Sequence, residues 1–132
     1  MTQDLPAVLL VEDDPLIALN LEDELQNAGF SVVTHTNPVS AMTEIDRNDS
    51  VFRALVTDID LGDGPNGWEL AHRALERFPQ MVLIYMSGQS AADWMANGLP
   101  DSVMLQKPFA IAQLSTALAT KLNEQPPLTE PH

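Results

Sequence analysis

The sequence predicts an α/β fold, a doubly wound five-stranded parallel sheet with helices on both faces. Two observations carry this. Short runs rich in branched apolar residues recur five times, as expected of strands covered on both faces. Between them lie segments with apolar residues at helical spacing, so strand and helix signals alternate along the chain. Ten prolines and six glycines supply frequent punctuation.

The first run is "AVLLV" (7–11), and "EDDP" follows, with Pro15 suited to the first helical position and Asp14 to its cap. Ile17, Leu21, Leu25 and Ala28 recur at helical spacing, and Gly29 gives a stop. "SVVTHT" (31–36) reads as strand, and "NPVSAMTEIDRND" (37–49) repeats the cap-then-proline start of a helix. "RALVTD" (53–58) is the third strand, and a third helix is expected from Gly67 to Phe78, ended by Pro79. "MVLIYMS" (81–87) and "SVMLQ" (102–106) are strands four and five, and 88–100 holds at most a short, glycine-interrupted helix. "AIAQLSTALATKL" (110–122) is helical, with Ile111, Leu114, Leu118 and Leu122 on one stripe. The expected organisation is one domain over 1–123 and a disordered, proline-rich tail over 124–132.

Composition excludes several classes of function. Without cysteine there is no disulfide scaffold, thiolate metal site or cysteine nucleophile. Net charge is −13, and the only cations are Arg47, Arg53, Arg73, Arg77, Lys107 and Lys121. With no basic cluster, direct nucleic-acid binding and attachment to an anionic membrane are not expected. The N-terminus lacks the basic start and cleavage site of a signal peptide, and no apolar run approaches the ~20 residues of a membrane span. A cytoplasmic protein is expected.

Right-handed crossovers place all strand C-termini at one edge of such a sheet, where its ligands bind. Strand one delivers Glu12, Asp13 and Asp14 there, strand three Asp58, strand four Ser87, and strand five leads to Lys107 and Pro108. Carboxylates this close repel unless a cation lies among them. Mg2+ takes oxygen ligands and commonly shares carboxylates with phosphate oxygens, while Ser87 and Lys107 offer donors to a phosphoryl group. Asp58, held by its strand, is the candidate nucleophile that accepts the phosphoryl group as an acyl phosphate. Asp14 is better read as a helix cap and Asp63 as a turn residue. His35, His72 and His132 lack metal-ligand spacing.

With these residues in place, the chain resembles the receiver domain of two-component response regulators over about residues 5–122. The matching pieces are "LLVEDDP", "LVTDIDL" with a later "G-W-E-L", "MSG" and "KPF". The resemblance implies the flavodoxin-like receiver fold, (βα)5 with strand order 2-1-3-4-5. It implies Asp58 as phosphoacceptor, Glu12 and Asp13 with Asp58 as ligands of Mg2+ (or Mn2+ in its place), and the backbone carbonyl of Asp60 as a further ligand. Ser87 and Lys107 map to the family's hydroxyl and lysine, and a cis peptide is implied at Lys107–Pro108. The implied partners are a sensor histidine kinase or histidine phosphotransfer protein and a downstream protein, with the chain a monomer or a weak phosphorylation-dependent dimer.

Three features depart from the common pattern: a lengthened "LGDGPNG" loop, Met104 where an aromatic is usual, and a short stretch from Ser87 to Lys107. Leu16 and Leu19 fall off the helix-one stripe and are expected to meet a partner, with Trp94, Met104, Pro108 and Phe109 on the switch or partner surface. The function expected is a stand-alone receiver that signals by protein contact or onward phosphotransfer, without turnover of a separate substrate. The alternatives are a phosphorylation-independent interaction module, an Asp-nucleophile phosphohydrolase suggested by "DID" at 58–60, and a nucleotide or flavin binder. The phosphohydrolase ranks low because its motif normally follows the first strand, and the last because no glycine-rich turn follows strand one.

Overall fold

The computed structural model describes residues 7–47, 51–88 and 97–124. In chain order it contains β1 (Ala7–Val11), α1 (Pro15–Asn27), β2 (Ser31–His35), α2 (Pro38–Asp46), β3 (Ala54–Asp58), α3 (Gly67–Arg77), β4 (Val82–Ser87), β5 (Val103–Gln106) and α4 (Ile111–Glu124). All five strands are parallel, in the order β2-β1-β3-β4-β5. The sequence expectation for the sheet and its order therefore holds. The short helix considered within 88–100 falls largely outside the described residues, as does the tail from residue 125. Among the described residues there are four helices.

Helix starts follow local chemistry. Asp14 accepts hydrogen bonds from the amides of Leu16 and Ile17, and Asn37 does the same for Val39 and Ser40, each just before a proline that opens its helix. Asn66 and Glu69 exchange hydrogen bonds at 3.0 Å in a capping box that opens α3.

Because side chains alternate across a strand, the sheet divides the core in two. Leu9, Val11, Leu55, Leu83 and Tyr85 face α2 and α3, whose Ala41, Ile45, Leu70, Ala71 and Ala74 cover them. Val8, Leu10, Val56, Ile84 and Met86 face α1 and α4, covered by Leu21, Leu25, Leu114 and Leu118. Two apolar stripes need correction. Ala18, not Ile17, completes the buried face of α1, and Ile111 at the start of α4 is exposed. Ile17 and Ile111 lie in the first turns of their helices, and Ala28, also exposed, is the C-cap of α1. The buried stripe therefore stops short of the helix ends, which spacing alone does not register.

The lengthened loop after β3 turns through Gly62 (φ +80°) and Gly64 (φ +104°), a backbone region that favours glycine. It carries Gly64 to the first turn of α2, where a Cβ would meet Pro38 and Val39 at 3.5 Å. The extra length thus bridges the end of β3 to a neighbouring helix.

Candidate functional site

The carboxylates of Glu12, Asp13 and Asp58 each place an oxygen within 4.8 Å of the others. Glu12 continues β1 and is 1% exposed, Asp58 ends β3 and is buried, and Asp13 lies open to solvent. The Glu12 amide donates to the carbonyl of His35 (3.1 Å), which ties the tip of β1 to that of β2. Opposite stands Lys107, whose Nζ lies 3.0 Å from Asp58 Oδ2 and 3.3 Å from Glu12 Oε1.

Burial pushes the Glu12 carboxyl up to about 7, opposed by the Asp14 amide that it accepts from and reinforced by the charge of Asp58. The lysine, despite partial burial, is held above its usual value by hydrogen bonds and charge from Asp58 and Glu12. One ammonium against three carboxyl groups leaves net negative charge. An all-oxygen donor set of this kind, with one open side at Asp13, suits a hard divalent cation such as Mg2+. Glu12, Asp13 and Asp58 are the residues that would hold it.

Backbone links register the parts. Asp58 pairs with Met86 across β3 and β4, and the Ile59 amide donates to the Met86 carbonyl (3.1 Å). Ser87 is buried one residue further on, and its carbonyl accepts from the Lys107 amide (2.7 Å). The Lys107–Pro108 peptide is cis, as the resemblance implied. Thr57 Oγ1 donates to the Asp58 carbonyl (2.8 Å). Gly67 packs against that same carbonyl and donates its amide to the carbonyl of Ile59 (2.8 Å). A side chain at 67 would overlap the Asp58 carbonyl oxygen.

Of the other residues singled out from sequence, Asp60 is exposed in the loop beside Asp58, and Asp63 lies in the exposed part of that loop. Leu16 and Leu19 are 67% and 53% exposed. Beside them Ile17, Asn20, Lys107, Pro108, Phe109 and Ile111 line an apolar groove of about 430 Å3. Met104 is half-buried against the α2–α3 side of the core. Trp94 lies outside the described residues.

Sequence reading missed the tip of β2. His35 Nδ1 meets Ser40 Oγ (2.9 Å) and Nε2 meets Glu44 Oε1 (3.2 Å), so this strand end is joined to α2. The helical spacing of Ser40 and Glu44 on one face of α2 was the available signal.

A doubly wound sheet with an acidic pocket and one lysine at its strand C-termini defines a class of α/β domain. The chain matches the family model for the response regulator receiver domain over residues 8–119, and it belongs to that family. It is 31% identical to the response regulator receiver protein CpdR of Brucella abortus over 109 residues, covering 81% of this chain and 88% of that one. It is 26% identical to the phyllosphere-induced regulator PhyR of Methylorubrum extorquens over 119 residues, or 87% of this chain. The chain spans only 43% of PhyR's length. A crystal structure of a response regulator receiver protein from Sinorhizobium medicae matches with TM-score 0.87 and 36% identity, covering 92% of this chain and 98% of the other.

Family membership makes this a signalling domain of the two-component type rather than a typical enzyme. Members generally bind Mg2+ and interact with histidine kinases or phosphotransfer proteins. Among the described residues, no helix is long and apolar enough to cross a membrane.

Proposed function

We propose that the chain is a receiver domain over 1–123 that accepts a phosphoryl group on Asp58 from a phosphohistidine. The observation that carries this reading is the convergence of Glu12, Asp13, Asp58 and Lys107 on one sheet edge. An Asp58 carboxylate oxygen attacks phosphorus, the phosphorus–nitrogen bond to the donor imidazole breaks, and the imidazole nitrogen keeps the bonding pair. Glu12, Asp13, Asp58 and the Asp60 carbonyl would hold Mg2+, which when bound would supply positive charge to the phosphoryl oxygens.

Lys107, already paired with Asp58, moves its charge to a phosphoryl oxygen, and the Ser87 hydroxyl donates to another. Water later attacks phosphorus, the bond from phosphorus to the Asp58 oxygen breaks, inorganic phosphate leaves and Asp58 returns as a carboxylate. The phosphorylated form signals by protein contact or by passing the group onward. After labelling with acetyl phosphate and Mg2+, hydroxylamine should release the phosphate and leave a hydroxamate on the peptide containing Asp58. A label that resists hydroxylamine contradicts the reading.

The partner surface proposed is α1 together with Pro108 and Phe109. Leu16 and Leu19 are large apolar side chains left in solvent on α1, the helix whose Ile17 and Asn20 line the groove together with Lys107, Pro108 and Phe109. Replacing Leu16 with Asp should slow transfer from a phosphohistidine protein about tenfold, the loss of ~1.4 kcal/mol of docking energy. Labelling by acetyl phosphate, which needs no docking, should keep its rate. Equal slowing of both donors would overturn the docking surface.

A further inference from the structure

We propose that Tyr85 is the positioning residue that couples the state of Asp58 to the turn at residues 99–102. The inference rests on the reading of Asp58 as phosphoacceptor.

Tyr85 is the largest fully buried side chain among the described residues. Its ring packs edge-on against Trp68 of α3, with centroids 4.6 Å apart. Its hydroxyl accepts a hydrogen bond from the Leu99 amide (3.3 Å). The Ser102 side chain hydrogen-bonds the same phenol, and burial raises the phenol above its usual pKa, so it stays protonated. Ser102 also closes the turn on itself, its Oγ and its amide both donating to the Leu99 carbonyl at 2.5 and 3.2 Å. On the outside, Lys121 Nζ of α4 holds Asp101 at 2.8 Å, and Asp101 has φ +66°. The turn is therefore set by two anchors, and only the inner one leads back to the site.

That lead is short. Tyr85 pairs with Thr57 on one side and Met104 on the other, and the next pair along is Asp58–Met86. Ser87, two residues on, projects from the same face of the strand as Tyr85. The strand tip is fastened to both ends of the chemistry, through Ile59 to Met86 and through Lys107 to Ser87. When a phosphoryl group draws the Ser87 hydroxyl and the Lys107 ammonium inward, β4 shifts with them. The phenol then moves relative to the Leu99 amide. Met104 and Leu99 pack on the same side of the core as Tyr85, so the flexible Met104 yields to that shift without directing it. Core volume alone would be met by a phenylalanine. The hydroxyl adds a specific tie to a turn that packing does not need.

The test is hydrogen exchange across residues 97–102, for wild type and Tyr85→Phe, each with and without acetyl phosphate and Mg2+. Phosphoryl occupancy is read by intact mass in the same samples. In unphosphorylated Tyr85→Phe the Leu99 amide should exchange about tenfold faster than in wild type, having lost its acceptor. Phosphorylation should alter exchange of this turn in wild type by threefold or more, about the least shift that marks a change of local opening. In Tyr85→Phe the mass gain should persist while the change disappears.

A merely structural tyrosine would leave the phosphorylated-to-free ratio as in wild type, and that result overturns the inference. So does a phosphorylated wild type with no change at 97–102. Failure of wild type to gain mass overturns the acceptor reading and the coupling with it. Should Tyr85→Phe fail to gain mass, Tyr85→Met, which fills the core without a hydroxyl, carries the same comparison with the same two outcomes.

Discussion

Gly67→Ala lowers the melting temperature by about 10 °C, with a stability loss of about 3 kcal/mol, as overpacking against backbone predicts. The sign is what makes this informative. Gly67 opens α3, and in a helix alanine is favoured over glycine by roughly 1 kcal/mol. Here an added Cβ would overlap the carbonyl oxygen of Asp58 and stand 2.8 Å from Cα of Ile59, neither of which can move as a side chain would. Relief requires either α3 to back away from the sheet or the tip of β3 to shift. The second displaces Asp58 itself, so phosphoryl uptake should fall along with stability. Thermal unfolding followed by circular dichroism measures the first effect. A variant as stable as wild type would mean that this contact is softer than the structure describes.

Lys107→Ala reduces the rate of phosphoryl uptake from acetyl phosphate by about 100- to 1,000-fold, the usual effect of removing one fixed charge from a developing anion. Lys107 is the cation paired with Asp58 and Glu12, at 3.0 and 3.3 Å. No other positive side chain makes an ion pair with these carboxylates among the described residues. Its removal also deletes a charge that opposes a divalent cation, so Mg2+ should bind at least as tightly as in wild type. Titration calorimetry with Mg2+ beside labelling kinetics separates the two. Loss of metal binding in step with labelling would make the lysine a prop for the carboxylates, not a partner of the phosphoryl group.

The site was legible in the sequence because this fold turns strand ends into neighbours. Once β1, β3, β4 and β5 are recognised, their final residues need no further information to meet at one edge. Asp14 as a cap, Pro15 and Gly67 as helix starts, and the acid–lysine constellation follow from local rules of that kind. Tyr85 was not legible as more than a strand residue. Its partners Trp68, Leu99 and Ser102 lie 14 to 17 positions away, and nothing in their spacing announces contact. Ile17 and Ile111 were misplaced because they lie in the first turns of their helices, where the residues on the apolar stripe are left exposed. The "GDGPNG" extension gained its meaning only from where Gly64 lands, against α2.

On the proposed function, Asp58 accepts phosphate with the help of a divalent cation and Lys107. Intact-mass measurement after incubation with acetyl phosphate and Mg2+ tests it most directly, for wild type, for wild type with excess chelator, and for Asp58→Asn. The expected result is a gain of ~80 Da in the first sample alone, because an amide cannot act as this nucleophile. A gain of the same size in Asp58→Asn, or one indifferent to chelator, would contradict it.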